Sequence, residues 1–432
     1  MKMANMDDYF DVVIVGTGAA GLYCALNLPA RYRILLLTKQ KADESDSFLA
    51  QGGICMQHGE ADYRPFFDDT MRAGHYENNP ATVDLMIRSS NSIIRDLVRR
   101  GVRFARDDHR ALRFTREGAH SRPRILFHED ITGHEITQTL LNEVLRCENI
   151  ELREHTTLLD FFADASACGG VIAAGPDGEP RAIGAGAVVL ACGGIGGLYK
   201  NSTNFPHITG DAIAMALRHG VACEHLDYIQ IHPTTLYSHR KGRRFLISES
   251  VRGEGALLLD KNGNRFTNEL QPRDVVSAAI RAQMEKDGTD HVWEDMRPIG
   301  EAAIREHFPN ILERCEEEGY DPIHEPIPVV PAQHYFMGGI TADLSSRTAL
   351  PRLYACGETC CNGVHGRNRL ASNSLLESLV FAQRAADDIL YGEPPVFTGD
   401  KPDLAPYREQ EPLFAAYRQE VLTAIERSKN HE

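Results

Sequence analysis

The chain has 432 residues, 42% hydrophobic and 25% charged, which excludes both a single small core and an unfolded chain and suits a globular protein of two or three domains. A formal net charge of −15 excludes broad nucleic-acid binding and leaves any anionic ligand to be held by local cations. The ten cysteines lack paired metal spacing. The one cluster, Cys356, Cys360 and Cys361, reads as small apolar packing in a reducing compartment, and no metal is expected.

The opening stretch MKMANMDDYFDVVIVG runs from an acidic segment straight into an apolar strand. It lacks a basic region followed by a cleavable apolar stretch, so no signal peptide is expected. No apolar run approaches the roughly 20 residues that span a bilayer. These features point to a cytoplasmic protein without a membrane partner.

DVVIVGTGAAGLYCALNL reads as a buried strand, a glycine turn and an amphipathic helix, with Gly16, Gly18 and Gly21 at G-x-G-x-x-G spacing. The first glycine permits the tight turn, the second lets backbone approach a pyrophosphate, and the third lets helix and strand pack closely. The N–H groups of the helix start then face the phosphates. Gly16, Thr17, Gly18, Ala19, Ala20 and Gly21 are therefore expected to bind a dinucleotide. The next strand, RILLLTK, ends at Thr38 and Lys39. An NAD site favours an acid there for the ribose diol, so its absence weakens an NAD reading. SFLAQGG, with Ser47, Ala50, Gln51, Gly52 and Gly53, is small enough for backbone to pass close to a flat ring.

TREGAHSRPR (115–124) sets one carboxylate, Glu117, among Arg116, His120, Arg122 and Arg124. It is either an exposed ion pair, worth about 0–1 kcal/mol, or the group that tells a site what else its substrate carries. AVVLACGGIGG (187–197) is a strand running into glycines, a second close passage for a cofactor. On local grounds His232 in QIHPTTLY is a turn histidine stopped by Pro233, and Ser248 and Glu249 in FLISESVRGEGA are a polar loop at a strand end. Arg273 in QPRDVV precedes an amphipathic helix for which Asp274 is a reasonable N-cap, and it reads locally as a surface partner of Asp274. His334 in PAQHYFMGG reads as a half-buried turn histidine. LYACGETCCNGVHGRNRLASNSLLESLVFAQRAADDIL is a short strand to Cys356, a glycine-rich loop and a helix from near Ser374. The helix start at Ser374–Leu375 can offer N–H groups to a carbonyl or anion. The cofactor domain is thus expected to be discontinuous.

GTGAAG, AQGG, LACGG, HPT, RGEGA, PRDVVSAAI, HYFMGGI and GETCCNGVHGRNRLASNSLLE follow one another between Asp11 and Leu390. Together they resemble the flavoprotein family of succinate dehydrogenase, fumarate reductase and L-aspartate oxidase. The resemblance implies an α/β fold: a Rossmann-like FAD-binding domain over 1–230 and 335–397, interrupted by an α+β capping domain over 231–334. A short helical segment over 398–432 follows, where family members continue through a longer helical domain. A stiff proline strap at Pro326, Pro328 and Pro331 is expected to lead back to the FAD domain. The implied cofactor is FAD. Asp46 stands where the respiratory members carry the histidine bonded to the flavin, so attachment is expected to be non-covalent.

Within the family, REGAHSRPRIL and NRLASNSLLES are most similar to the L-aspartate oxidase branch. Met337 is also common in the fumarate reductase branch, and Arg367 replaces a usually small residue and adds positive charge near the site. By resemblance His232, His334 and Arg369 hold substrate carboxylates, and Arg273 exchanges a proton with substrate. Ser248 and Glu249 match a Thr–Glu pair of the substrate site, and Glu117 accepts from a substrate ammonium. Lys39, Ser47, Ala50, Gln51, Gly52, Gly53, Asp211, Glu358, Ser374 and Leu375 join the glycine turn around FAD. The implied reaction converts L-aspartate to iminoaspartate, with electrons passing to O2 or fumarate. It opens NAD biosynthesis, and quinolinate synthase uses the product without a stable complex. The alternative is a soluble fumarate reductase. More distant rivals are a subunit of a membrane complex and a flavin binder that has lost catalysis.

Overall fold

A computed structural model describes residues 8–240, 242–392 and 397–430. The outer domain limits expected at residues 1 and 432, and the stretch 393–396, lie outside them. The fold is α/β. Strand Tyr9–Val15 pairs in parallel with Ile34–Leu37 on one side and with Pro180–Leu190 on the other. Ile150–Arg153 and Leu353–Ala355 add further parallel pairs, and Thr157–Ala163 and Cys168–Ala174 extend the sheet antiparallel.

Successive strand side chains point to opposite faces, and both faces are covered. Val12, Ile14, Ile34 and Leu36 enter one core, with the helices Ala19–Asn27 and Asn373–Tyr391. Phe10, Val13, Val15, Leu35 and Leu37 enter the other, with the helix Asp211–Arg218. That second core is completed from the end of the chain. Helix Gln410–Lys429 contributes Tyr417, Val421 and Ile425, and the Tyr417 hydroxyl donates to Leu159 O at 2.7 Å. Each such fully buried aliphatic side chain is worth about 1.5–3 kcal/mol.

A four-stranded antiparallel sheet stands apart from this body, ordered Ile229–Leu236, Ile327–Phe336, Val292–Asp295 and Leu257–Leu259. With helix Arg273–Asp287 it encloses its own core around Leu258, Val276, Ile280, Met296 and Ile311. The expected proline strap is instead a ten-residue strand, Ile327–Phe336. It tolerates Pro331, as its partner strand tolerates Pro233, for a local reason. The register shifts between His232/Ala332 and Thr235/Val330, so Pro233 and Pro331 both fall in the irregularity, where no ladder N–H is needed. His232 accordingly lies in a strand, and Pro233 does not end it in a turn. Among the described residues no helix is long and apolar enough to cross a membrane.

Candidate active site

A cleft runs from the glycine turn to the edge of the second sheet. At the turn, Gly16 has φ 115°, and a Cβ there would lie 2.0 Å from Ala191 O. A Cβ on Gly21 would lie 1.9 Å from Gly16 O. Both glycines are thus required by packing. Thr17, Gly18, Ala20, Lys39, Ser47, Ala50, Gln51, Gly52, Gly53, Asp211, Glu358, Ser374 and Leu375 line the cleft with Gly16. Ala19 and Gly21 do not line it. The Ala19 N–H is taken by Ser47 Oγ at 3.0 Å, and Gly21 serves the helix–strand contact. Lys39 and Asp211 pair with each other at 2.7 Å. Buried polar atoms without a protein partner, Thr17 Oγ1, Ser45 Oγ and Gln51 Oε1, belong to cleft residues. A polar dinucleotide fits that set.

Asp46 also lines the cleft. Its Oδ1 accepts from Phe205 N–H at 2.9 Å, and its Oδ2 is buried without a partner. Burial pushes its carboxyl up to about 7. Burial likewise raises Glu358 well above the carboxylate range, with Asp46 adding to the shift.

At the other end, side chains from five separate segments converge. Arg273, the first residue of its helix, donates from Nε to Glu249 Oε2 at 2.6 Å and from Nη1 to Gln230 Oε1 at 2.9 Å. Gln230 in turn donates to Arg369 O at 2.8 Å and Asn368 Oδ1 at 2.9 Å, fixing one arginine against the backbone of the other. Arg369 stacks over the Tyr335 ring at 4.3 Å and donates to Ser374 Oγ at 2.9 Å, while its Nε is buried and unpartnered. Burial first, and then Arg273, lowers the Arg369 guanidinium to about 10. Two cations that repel each other in a dry pocket form a ready receptor for an anion.

The two imidazoles stand edge to face, with centroids 5.1 Å apart. Burial and the neighbouring Arg273 hold both well below their ordinary range, so both are neutral. His334 Nδ1 lies 2.7 Å from Thr203 Oγ1. In the tautomer in which His232 Nδ1 accepts the Thr234 N–H (3.2 Å), the ring proton sits on Nε2, which is buried and unpartnered. Each ring can then donate from Nε2 without carrying charge.

Glu117 answers its question by burial. It is 3% exposed, and it pairs with neither Arg116 nor Arg122. Its Oε1 accepts from Ser250 Oγ at 2.8 Å and its Oε2 from Ser372 Oγ at 2.5 Å. Burial, then Glu249, raises it above the ordinary carboxylate value. Space for the two acids is made by glycines: a Cβ on Gly52 would lie 2.1 Å from Glu117 Oε1, and one on Gly118 2.3 Å from Glu249 Oε1. Glu249 behaves oppositely. Burial pushes it up, but Arg273 and Arg252 together hold it below its ordinary value.

Three local expectations are corrected. Asp274 is not the N-cap: Pro272 occupies that position, and Asp274 reaches His75 at 3.0 Å. Arg273 is therefore not its surface partner, and it is only 7% exposed. Arg367 adds no charge to the site, since it is exposed and lies over the Tyr228 ring at 5.5 Å. Ser248 lines the cleft but also caps a short helix, accepting from Ser250 N–H at 3.2 Å. The site also uses Gln230, Ser250, Arg252, Ser372 and Thr203, which sequence reasoning did not select. Only Ser372 has a local cue, as a serine before a helix.

With this geometry in hand, the similarities to known proteins are specific. The "FAD binding domain" family matches residues 11–375. L-aspartate oxidase of Clostridium perfringens is 48% identical over 380 residues, covering 88% of this chain and 86% of that protein. L-aspartate oxidase of a Nostoc species is 44% identical over 441 residues, covering 98% and 76%. Among solved structures, the quinol fumarate reductase of E. coli superposes with a TM-score of 0.83 at 31% identity, covering 95% of this chain and 74% of that one. The chain belongs to the L-aspartate oxidase family of FAD-binding flavoproteins.

Proposed function

We propose that the chain oxidises L-aspartate to iminoaspartate, and that Glu117 selects the amine. One observation carries the assignment. A buried carboxylate with two hydroxyl donors, Glu117, faces the same pocket as two guanidinium groups and two neutral imidazoles. A dicarboxylate satisfies the cations and donors; only a substrate ammonium also satisfies Glu117.

FAD, held along the glycine turn and the AQGG segment without a covalent bond, supplies the two-electron acceptor for the Cα hydride. The chain's own residues orient the substrate. Arg369, His232 and His334 fix the carboxylates, and Ser248 adds a hydroxyl donor. The ammonium favours ionised Glu117, offsetting the burial that raises it. Arg273 exchanges protons with a bound dicarboxylate. An arginine is a poor acid and base in water, with a pKa above about 12. Here it contacts Glu249 at 2.6 Å, and Arg252 Nη2 lies 3.6 Å from the same carboxylate oxygen. This triad gives the proton a route away from the pocket. Electrons leave to O2 or fumarate, and the latter fits the same cations. Quinolinate synthase consumes the unstable imine without forming a stable complex.

Residues 231–334 act as the capping module. Support comes from their separate core and from the contacts they make across the cleft: Asp274 to His75, Asn310 and Ile311 to Asp130, and Glu306 to Arg113. Closure excludes water and brings Arg273 to the substrate.

The test is anaerobic mixing of the flavin-loaded protein with L-aspartate or succinate while following loss of the oxidised-flavin band. Bleaching by L-aspartate alone is expected, and bleaching by succinate alone would sink the assignment. Glu117→Gln is expected to lower kcat/KM for L-aspartate by roughly 100-fold, the scale of one lost charge-assisted hydrogen bond, while sparing fumarate reduction.

A further inference from the structure

Outside the cleft, Glu224, His225 and Cys361 bring a carboxylate oxygen, an imidazole nitrogen and a sulfur within 4.8 Å of one another. Two strands supply them. Cys223–Glu224 and Cys360–Cys361 flank Gly339–Thr341 in a three-stranded sheet. The approach depends on Gly338, where a Cβ would lie 2.0 Å from His225 O and 2.9 Å from Glu224 O.

Several observations set the trio apart from ordinary surface polarity. His225 has φ 53°, a left-handed conformation uncommon outside glycine. Its ring is stacked on Tyr228, with centroids 4.3 Å apart, and the Tyr228 hydroxyl is itself anchored on Glu77. Among the described residues neither the Glu224 carboxylate nor the His225 ring has a hydrogen bond or ion pair. Cys356 and Cys360 are buried in the two apolar cores of the cofactor body, as expected for small hydrophobes. Cys361 is as buried, at 5% exposure, yet joins none of the apolar clusters. Burial, and then Glu224, push the Cys361 thiol up to about 12, and the Gly363 N–H at its sulfur offsets this only in part, so an arriving cation must displace the thiol proton. A cavity, lined also by Glu77, Asn79 and Asn362, opens beside the trio.

We propose that Glu224, His225 and Cys361 form a binding site for one thiophilic divalent cation of the zinc class, with solvent completing the coordination. Mixed sulfur, nitrogen and oxygen donors select zinc-class cations over magnesium or calcium, which take oxygen. Binding displaces the thiol proton to solvent and leaves a thiolate–metal bond. Because Glu224 and His225 are exposed, the cation exchanges with solvent. The site ties strand 223–224 to strand 360–361, and the loop after Cys361 leads to Arg369 and Ser372. An occupied site therefore braces the outside of the substrate pocket without touching it. None of this depends on the reaction assigned above.

The test uses the flavin-loaded full chain, stripped with a chelator and titrated with Zn2+ against a chromophoric competitor. A parallel titration with Co2+ follows the thiolate charge-transfer band. Wild type is expected to bind one equivalent, with zinc raising its unfolding midpoint. Cys361→Ser should lose the charge-transfer band, and His225→Ala and Glu224→Gln should each weaken binding by roughly 10–100-fold. All three variants should keep their flavin spectrum. Binding by wild type and Cys361→Ser with equal affinity would place the metal on another cysteine and overturn the proposal, as would no binding by wild type. Glu224→Gln, at an exposed position, keeps the test decisive if Cys361→Ser misfolds.

Discussion

Glu117 and Glu249 show how neighbouring carboxylates acquire opposite chemistry. Glu249 meets two guanidinium groups and stays ionised; Glu117 meets hydroxyls and is raised. Ser250 is one of the groups holding Glu117 down. Removing its hydroxyl leaves Glu117 higher still, so more alkaline solution is needed to ionise it. Ser250→Ala is therefore expected to move the acidic limb of the pH profile of kcat/KM for L-aspartate upward. An unmoved limb would remove Glu117 from amine recognition. Glu294 offers a stability test. It is fully buried, both carboxyl oxygens lack partners, and burial lifts it to about 8 despite Arg252. A group raised in the folded state gives stability that is complete below its unfolded value and is lost as pH rises through the folded one. Glu294→Gln should thus gain on wild type as pH climbs from 5 to 8, by about 2 °C or more in Tm. A difference independent of pH would contradict the shift.

At the scale of elements, two irregularities aim groups that line the cleft. The register shift around Pro233 and Pro331 sits directly beside His232, and such shifts re-aim side chains. The helix of Arg273 begins two residues earlier than an Asp274 cap would set it. Pro272, at φ −53° and ψ 150°, sets the turn into it and frees Asp274 to reach His75. Acidic residues before a helix are good caps on average, but the preceding proline decides this case. The segment 231–334 is also tied down through Asp130, 2% exposed, whose carboxylate accepts from Asn310 Nδ2 and Ile311 N–H, each at 2.7 Å. Asp130→Ala leaves those donors unpaired, at a cost of about 1–3 kcal/mol. The expected result is a raised KM for L-aspartate and faster proteolysis within 231–334, with flavin retained. Unchanged KM and proteolysis would show that Asp130 does not hold the module closed.

For the whole molecule, the net charge of −15 works against an anionic substrate, and the pocket overcomes it by placing Arg273 and Arg369 where water is excluded. Buried charges are screened little by salt, so raising ionic strength should change KM far less than replacing the side-chain carboxylate by an amide. L-asparagine is expected to be at least about 100-fold poorer than L-aspartate in kcat/KM. The cleft also separates the two bodies, so stripping FAD should lower Tm. Added FAD should restore it by about 2.7 kcal/mol at 100 times Kd; a Tm indifferent to FAD would argue that the cleft folds without it.

What the sequence determined by itself was local. The apolar run DVVIV marked a buried strand, and Gly16 and Gly21 marked a turn that only glycine can make, because those constraints act within a few residues. The ordered motifs then indicated the family and most of the cleft lining. Only the tertiary structure decided how distant segments meet. Glu117 finds its donors 133 and 255 residues away, Gln230 couples two arginines 43 and 139 residues off, and Cys361 faces the Glu224–His225 pair across a third strand. Such contacts are set by strand register, bulges and backbone closeness at glycines, and local pattern does not encode them. Burial then decided the electrostatics, since Glu117, an ion-pair candidate in the sequence, lies buried between two serine hydroxyls.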